Sequence, residues 1–333
     1  ISYSTSDDSG KALLPASFLA TGQWQASHAS MEHTIKTLES AAELEWYQPL
    51  INVHSGTKED LLRPTLERYK LSATHLGAFL DVTDGGPNGF LLNYLLRFPQ
   101  AMSPQAAYGT AIHATLQRAH AHLAATERHR AAEDILKDFE GYLRDQHLPN
   151  DEFQMYLQKG SESLHIFLEQ KYVDFAASQK PEVDFAGEQV FLGEAHLTGK
   201  LDLIDIDKNA RTMVVTDYKT GKPVRTWSGK TEYEKIKLHR YRQQLMFYKL
   251  MVERSRTYGN YTVEKGILQF VEPTIDGDII GLDASFTPDE LEEFSRLVQK
   301  VWHCITTLHL PDTSHYEPTY KGILAFEQDL LAE

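Results

Sequence analysis

The fold depends first on one short segment, Met213-Val214-Val215-Thr216-Asp217-Tyr218-Lys219. Side chains alternate between the two faces of a β-strand, so Met213, Val215, Asp217 and Lys219 share one face. An apolar stripe therefore ends in a carboxylate and an ammonium group, roughly 7 Å apart along the strand. A charged group on a buried face is costly unless it is paired or binds a cation. This strand alone is equally compatible with a buried Asp–Lys salt bridge and with part of a cation site.

A second predicted strand places another carboxylate nearby. In Gly199-Lys200-Leu201-Asp202-Leu203-Ile204-Asp205-Ile206-Asp207, the acid Asp202 shares a face with Ile204 and Ile206. The turn Asp207-Lys208-Asn209-Ala210 joins the two strands as a hairpin. Two neighbouring carboxylates form a hard oxygen site that suits Mg²⁺ or Mn²⁺. A lysine beside them can orient a water molecule or stabilise charge on a phosphate.

The pattern around these strands predicts a mixed α/β layer fold. A helix follows Ser103-Pro104 and includes His113, and Pro288-Asp289-Glu290 opens a helix that ends near Leu308. Between them the period changes to that of strands. The predicted elements there are strands at 190–196, 197–207 and 211–219, a helix at 236–253 and a strand at 263–271. Elements in this order form a sheet flanked by helices.

Composition excludes several classes of protein. The chain has 333 residues, of which 41% are hydrophobic and 24% charged, as in ordinary globular domains. No apolar run reaches the roughly 18 residues of a membrane span, so no membrane partner is expected. Cys304 is the single cysteine, which excludes a disulfide framework and a four-cysteine iron–sulfur cluster within this chain. A reducing compartment, the cytoplasm, is therefore the predicted location.

Three further residues are weak signals when each is taken alone. His113 lies among apolar helical neighbours, where a lone histidine is usually a satisfied core or surface residue. Gln244 and Tyr248 are four residues apart, so their hydrogen-bonding tips share one helix face. A polar helix surface explains that pair equally simply.

The combination of these motifs is much more specific. Along the chain, the motifs are Gly109-x-x-x-His113, Gly199-x-x-Asp202, Asp217-Tyr218-Lys219-Thr220-Gly221-Lys222 and Gln244-x-x-x-Tyr248. Their order and their predicted secondary structures resemble the RecB-like nuclease domain of the PD-(D/E)xK phosphodiesterase superfamily, over about residues 71–331. The resemblance implies a restriction-endonuclease-like α/β core, with a mixed central sheet flanked by helices and a mostly helical N-terminal extension.

The resemblance also implies a role for each motif. It implies that Lys219 is the catalytic lysine and that Gln244 and Tyr248 support the site and contact DNA beside it. The implied ligands of Mg²⁺ or Mn²⁺ are His113, Asp202, Asp217 and the main-chain carbonyl of Tyr218. Asp202 and Asp217 are thereby catalytic residues as well.

One departure from some relatives concerns an iron–sulfur cluster. Those relatives hold the cluster through cysteines from both ends of the domain. Here neither Val82 nor the stretch Thr313-Ser314-His315-Tyr316 offers a cysteine, so no iron–sulfur cluster is expected. Packing must then hold the C-terminal helix.

The first residues carry a weaker resemblance. Ile1-Ser2-Tyr3-Ser4, Gly10-Lys11 and Pro15-Ala16-Ser17-Phe18-Leu19 are similar to the end of the motor in UvrD-type superfamily 1 helicases. Since the chain starts at Ile1 rather than at Met, it is expected to be a segment of a longer helicase–nuclease. The predicted divisions are 1–20 from the motor, 21–70 as a helical linker interrupted at Pro49 and Pro64, and 71–333 as the nuclease domain.

Charge is distributed unevenly along the chain. The formal net charge is −14, and a uniformly acidic surface would argue against nucleic acid as a partner. From Lys219 to Arg242, however, there are eight basic residues and two acids, and Trp227 and Tyr233 can stack on unpaired bases. Besides Gln244 and Tyr248, the predicted DNA-binding residues are Lys222, Arg225, Lys230, Arg240 and Arg242.

The sequence thus predicts a metal-dependent deoxyribonuclease module, an exonuclease in preference to an endonuclease. Single-stranded DNA is the favoured substrate, in DNA repair or recombination, and a helicase motor in the same parent chain is the expected partner. Two alternatives stay open. One is a DNA-binding or docking module that keeps the fold but does not cut, and the other is a nuclease of mobile-element or CRISPR-adaptation type that acts without a helicase.

Overall fold

The computed structural model describes residues 57–99 and 102–332. The predicted motor segment at 1–20 and the predicted linker up to residue 56 lie outside these described residues. The first described helix, α1 (Lys58–Leu66), contains Pro64 and ends two residues after it. Residues Leu61–Glu333 form one compact unit, which contains all the motifs of the sequence analysis.

A five-stranded mixed sheet forms the centre of this unit. Its strand order is β1-β4-β5-β6-β7, in which β5 and β6 are parallel and every other neighbouring pair is antiparallel. A separate hairpin is formed by β2 and β3. The strands are β1 (Lys180–Asp184), β2 (Val190–Leu192), β3 (Ala195–Leu197), β4 (Lys200–Asp207), β5 (Thr212–Lys219), β6 (Thr262–Phe270) and β7 (Gly281–Ala284).

Helices cover both faces of the sheet, which confirms the predicted fold class. They are α2 (Ala73–Leu80), α3 (Gly86–Phe90), α4 (Pro104–Thr126), α5 (Ala132–Arg144), α6 (Asn150–Lys171), α7 (Glu232–Glu253), α8 (Pro288–Thr306) and α9 (Tyr320–Ala332). One apolar core lies between the sheet and α2, α7, α8 and α9. A second core lies between the opposite face and α4, α5 and α6. No helix in the described ranges is both long and apolar enough to cross a membrane.

Local sequence fixes where the helices nearest the sheet begin. The Ser103 hydroxyl accepts a hydrogen bond from the Ala106 main-chain N–H, and Pro104 occupies the first turn of α4, where its missing N–H costs nothing. A capping box between Thr231 and Glu234 starts α7. The starting points of these helices set which of their residues reach the sheet edge.

Two strands and one turn differ from the sequence prediction. The segment predicted as one strand at 190–196 is the hairpin of β2 and β3, because the chain turns at Gly193 with φ 59°. Neither β1 nor β7 is predicted from the sequence. Both are edge strands, one rich in charge and containing Pro181 and the other only four residues long, so neither has the apolar alternation of a typical strand.

Candidate active site

The antiparallel pairing of β4 with β5 brings the two motif carboxylates to one end of the sheet. Leu203 pairs with Thr216, so the next residues towards the sheet end are Asp202 and Asp217. The Tyr218 main-chain N–H donates a hydrogen bond to Asp202 Oδ2 at 2.8 Å. Asp217 is 2% exposed, whereas Asp202 keeps part of its surface open. The predicted pair of carboxylates is therefore assembled by strand register.

Helix α4 contributes His113 to the same end of the sheet. Its Nδ1 atom lies 3.1 Å from Asp202 Oδ1. One turn earlier, a Cβ on Gly109 would lie 3.1 Å from Thr220 Oγ1, so this glycine lets α4 approach the loop that follows β5. Burial lowers the pKa of His113, but the hydrogen bond and charge of Asp202 together with the charge of Asp217 outweigh it, and the net shift is upward. His113 thus lies in a strongly anionic environment.

A hydrogen-bonded network joins β5 to helix α7. Lys219 Nζ lies 2.7 Å from Asp217 Oδ2 and donates to Gln244 Oε1 at 2.9 Å. The Gln244 amide in turn donates to Asp217 Oδ1 at 3.0 Å and to the Tyr248 hydroxyl at 2.6 Å. The hydroxyl of Tyr248, which is buried, donates to Asp217 Oδ1 at 3.4 Å. Both α7 residues support the acid and the lysine, and a DNA contact by either of them stays a prediction.

The buried position of Asp217 has an electrostatic cost. Burial raises the pKa of Asp217, Lys219 opposes the rise, and the charge of Asp202 adds to it, so that the net shift is upward. An ionised carboxylate in such a place requires a positive partner. Lys219 supplies one, and a divalent cation at the adjacent carboxylates would supply another.

Glu182 is a further site residue that the sequence analysis does not predict. One oxygen of Glu182, one oxygen of Asp202 and one nitrogen of His113 all lie within 4.8 Å of one another. Glu182 lies on β1, and its side chain also forms an ion pair with Lys200 of β4. Only pairing of β1 with β4 brings it to the site, and its sequence neighbours Pro181 and Asp184 give no clear strand signal.

The main chain and the side chain of Tyr218 make different contacts. Its main chain holds Asp202, as described, and its side chain extends into the second core. There its hydroxyl pairs with His120 Nε2 at 2.8 Å, and the His120 ring stacks on Phe175 with 3.7 Å between centroids. None of the described contacts tests whether the Tyr218 carbonyl is a metal ligand, so that role stays a prediction.

Acidic residues from other elements neutralise much of the basic segment between Lys219 and Arg242. Arg225 pairs with Asp276 and Asp278 at 2.7 and 3.0 Å in the connection between β6 and β7. Arg242 pairs with Glu290 of α8 at 2.6 Å, and Arg240 pairs with Asp81 at 2.8 Å. Among the described residues, no ion pair involves Lys222, Lys230 or Lys237. Sequence counting alone overstates the positive charge available to a substrate.

A groove of about 440 Å³ lies next to the site, between α2 and α7. Lys219 and Gln244 line its inner end. Its walls carry Tyr233, Lys237, Arg240 and Tyr241 from α7 and small residues from α2. The catalytic candidate Lys219 therefore opens onto a concave surface rather than onto a closed core.

The donor set fits a hard divalent cation. One imidazole and the carboxylates of Glu182, Asp202 and Asp217 match the oxygen-rich coordination that Mg²⁺ and Mn²⁺ prefer. The short separation of the His113, Glu182 and Asp202 donor atoms leaves them able to share one ion. Lys219, attached to Asp217 at the same sheet end, lies where it can stabilise charge on a phosphate.

One protein family has a model that matches most of this chain. The model of the family described as "PD-(D/E)XK nuclease superfamily" matches residues 70–319, about three quarters of the chain. No curated protein matches significantly. Among solved structures, a crystal structure of an Eubacterium rectale protein described as "Putative exonuclease" aligns with 13% identity over 77% of this chain and 88% of its own, with a TM-score of 0.47. Since the family model spans most of the chain, including every motif from His113 to Tyr248, this chain belongs to the PD-(D/E)XK nuclease superfamily.

Proposed function

We propose that this chain is a metal-dependent deoxyribonuclease that hydrolyses phosphodiester bonds at the site formed by His113, Asp202, Asp217 and Lys219. The single observation that carries the proposal is their convergence. A helix and two strands, up to 106 positions apart in sequence, place an imidazole, two carboxylates and an ammonium group at one sheet end.

Each residue has a role that its contacts support. His113, Glu182, Asp202 and Asp217 would hold Mg²⁺ or Mn²⁺, which when bound supplies Lewis-acid activation of the phosphodiester and of water. Lys219 orients the attacking water and stabilises charge on the phosphate from its position beside Asp217. The Gln244 amide holds the lysine and the carboxylate in fixed relative positions.

We further propose that the nuclease acts on single-stranded DNA as an exonuclease, as part of a helicase–nuclease in repair or recombination. The similarity of residues 1–19 to the end of a superfamily 1 motor supports the helicase partner and the division of the chain near residues 20 and 70. A motor in the same chain would also raise the effective concentration of the strand at the site.

The test is cleavage of end-labelled single-stranded and double-stranded DNA in Mg²⁺, in Mn²⁺ and in EDTA. Wild type is compared with Lys219→Ala and Asp217→Ala, and with Lys208→Ala in the turn between β4 and β5 as a matched surface control. We expect cleavage that requires the metal, is lost by at least about a hundredfold in both site variants, and is unchanged in the control.

The alternatives give different results in the same assay. DNA binding by wild type without cleavage in either metal would replace the proposal with a non-catalytic binding module. Cleavage that survives Asp217→Ala would show that this site is not the catalytic one. The ladder of labelled products distinguishes exonuclease from endonuclease action.

A further inference from the structure

The groove between α2 and α7 has two walls of different character. On the α2 wall the lining residues are small, namely Ala73, Thr74 and Gly77. On the α7 wall they include long cations and tyrosines, together with Ile236 and Gln244. A narrow chain can therefore lie against α2 while its charges and rings meet α7.

Lys237 is a cation on the α7 wall close to the catalytic lysine. Both ammonium groups lie near the Tyr241 ring, whose centre is 4.4 Å from Lys219 Nζ and 5.6 Å from Lys237 Nζ. Lys219 is paired with Asp217, whereas no carboxylate in residues 57–99 and 102–332 forms an ion pair with Lys237. Burial lowers the pKa of Lys237, and Lys219 lowers it further, although Glu272 opposes the shift. A phosphate beside Lys237 would relieve this unfavourable placement of two ammonium groups.

Arg240 is the next cation along the same wall, and one nitrogen of its guanidinium group is held by a hydrogen bond. Its Nη1 donates to Asp81 Oδ2 at 2.8 Å, and Asp81 is itself buried and accepts hydrogen bonds from the main chain and hydroxyl of Thr83. The Arg240 side chain stays 49% exposed on the groove. A guanidinium held at one end and open at the other is suited to a phosphate, because its planar fork loses little freedom when it binds.

Tyr233 gives the groove a flat aromatic surface. It lies in the first turn of α7 and is 73% exposed, and Lys237 Nζ is 5.9 Å from its ring centre. Exposed tyrosines beside cations stack on unpaired bases, since a single strand leaves the faces of its bases open and a duplex does not.

Other cations of α7 are directed away from the groove. Lys235 pairs with Glu232 at 2.7 Å, and Arg242 pairs with Glu290 of α8. Neither lines the groove. Along this part of α7, Lys237 and Arg240 therefore line the groove, whereas Lys235 and Arg242 do not.

We propose that this groove binds an unpaired polynucleotide strand next to the cutting site, with Lys237 and Arg240 on its phosphates and Tyr233 stacked on a base. The inference rests on the proposed function, for which it supplies the strand-binding surface. It also names two residues, Lys237 and Tyr233, that bind the strand without belonging to the catalytic network.

Binding of a fluorescein-labelled oligothymidylate, measured by fluorescence anisotropy in EDTA over a series of salt concentrations, tests the groove without cleavage. Lys237→Ala should weaken binding and make its dependence on salt shallower, by about 0.7 in the log–log slope for the lost phosphate contact. Arg240→Lys should weaken binding because the planar fork is lost, but it should leave the salt slope nearly unchanged because the charge is kept. Tyr233→Ala should weaken binding about tenfold and leave the salt slope unchanged, and Tyr233→Phe should retain affinity. Arg240→Lys is used because it keeps a cation beside buried Asp81.

The controls are Lys235→Ala on the same helix and Arg296→Ala on α8, both of which should bind as wild type does. A duplex of the same length should bind more weakly than the single strand and should not respond to Tyr233→Ala. Wild-type affinity in Lys237→Ala, Arg240→Lys and Tyr233→Ala would overturn the proposal. Strand binding through these residues without any cleavage would support the strand-binding groove and refute the nuclease function. Cleavage by wild type, with unaltered strand binding in the variants, would support the nuclease function and refute the groove.

Discussion

At the scale of single residues, Glu182 adopts a main-chain conformation that is unusual for its side chain. Its φ of 52° lies in the left-handed region, which costs a non-glycine residue roughly 1–2 kcal/mol. On either side of it, Pro181 and Val183 pair with Leu203 and Leu201 of β4. Strained residues that persist between regular neighbours are concentrated at functional sites. The conformation is consistent with a glutamate whose carboxylate must reach His113 and Asp202.

Removing the charge of Glu182 should therefore weaken metal binding. We expect Glu182→Gln to lower the affinity for Mn²⁺ by about tenfold or more, because one anionic oxygen ligand is lost. Isothermal titration calorimetry with Mn²⁺ measures the change, and Glu264→Gln, an exposed glutamate on β6, is the matched control. Equal Mn²⁺ affinities for Glu182→Gln and the control would show that Glu182 is not a ligand.

The residues of the site differ in how far the sequence could predict them. Asp217 and Lys219 stand on a strand whose alternation is clear, and the sequence places them correctly on one face beside Asp202. Their roles and that of His113 rest on the motif pattern rather than on periodicity. Glu182 is missed because its strand is short, charged and begins with Lys180-Pro181, so only pairing in the folded sheet reveals it.

At the scale of elements, α9 is attached to α7 through a buried polar cluster. Glu327 on α9 accepts a hydrogen bond from the Gln243 amide at 2.8 Å and lies 2.9 Å from His239 Nε2. Gln243 directly precedes Gln244, which lies about 100° further around the helix and contacts Asp217 and Lys219. Helix α9 lies beyond residue 319, where the family match ends. In the structure, apolar packing and this cluster hold the C-terminal helix.

Loss of the Glu327 carboxylate should destabilise this attachment. We expect Glu327→Ala to lower the free energy of unfolding by about 1–3 kcal/mol, because the buried Gln243 amide and the His239 ring lose their partner. Urea unfolding monitored by circular dichroism measures the difference. Gln328→Ala, which changes an exposed neighbour, should stay within about 0.5 kcal/mol of wild type. A loss of the same size in both variants would mean that the cluster does not hold α9.

At the scale of the whole molecule, histidines that the fold shields fully or partly from water link stability to pH. Burial lowers the pKa values of His75, His120 and His196, and that of His120 falls from 6.5 to about 3. Between those two values the unfolded chain binds a proton at His120 that the folded chain does not. The stabilisation is therefore complete above pH 6.5 and decreases as the pH falls. His113 has the opposite sign, since its pKa is raised.

Acidification should consequently favour unfolding through His120. We expect the unfolding equilibrium constant of wild type to rise by up to about tenfold for each pH unit below 6.5 from this group alone. His120→Gln keeps an amide that can hydrogen-bond to the Tyr218 hydroxyl, and it should show a shallower rise. Urea unfolding at a series of pH values from 7 to 5 measures both slopes. Parallel pH profiles for the two proteins would exclude His120 as the source.

The central layers of the fold could be predicted from sequence, and the periphery could not. Strands β4, β5 and β6 and helices α4, α7 and α8 could be located because their apolar residues supply most of the two cores. β1 and β7 depend on neighbours that are distant in sequence, and the hairpin of β2 and β3 depends on a left-handed glycine. The ion pairs that neutralise Arg225, Arg240 and Arg242 likewise could not be predicted from the sequence, because each joins residues that are far apart along the chain.

The composition of β1 also has a consequence for solubility. Within residues 57–99 and 102–332, β1 is an edge strand, and one row of its main-chain groups has no partner strand there. In many sheets such an edge allows a strand from a second molecule to pair with it. Lys180, Pro181 and Asp184 oppose such addition, because a proline withholds an amide hydrogen and the charges would be buried at the junction. The features that conceal this strand from pattern analysis are thus the ones that protect the folded protein against aggregation.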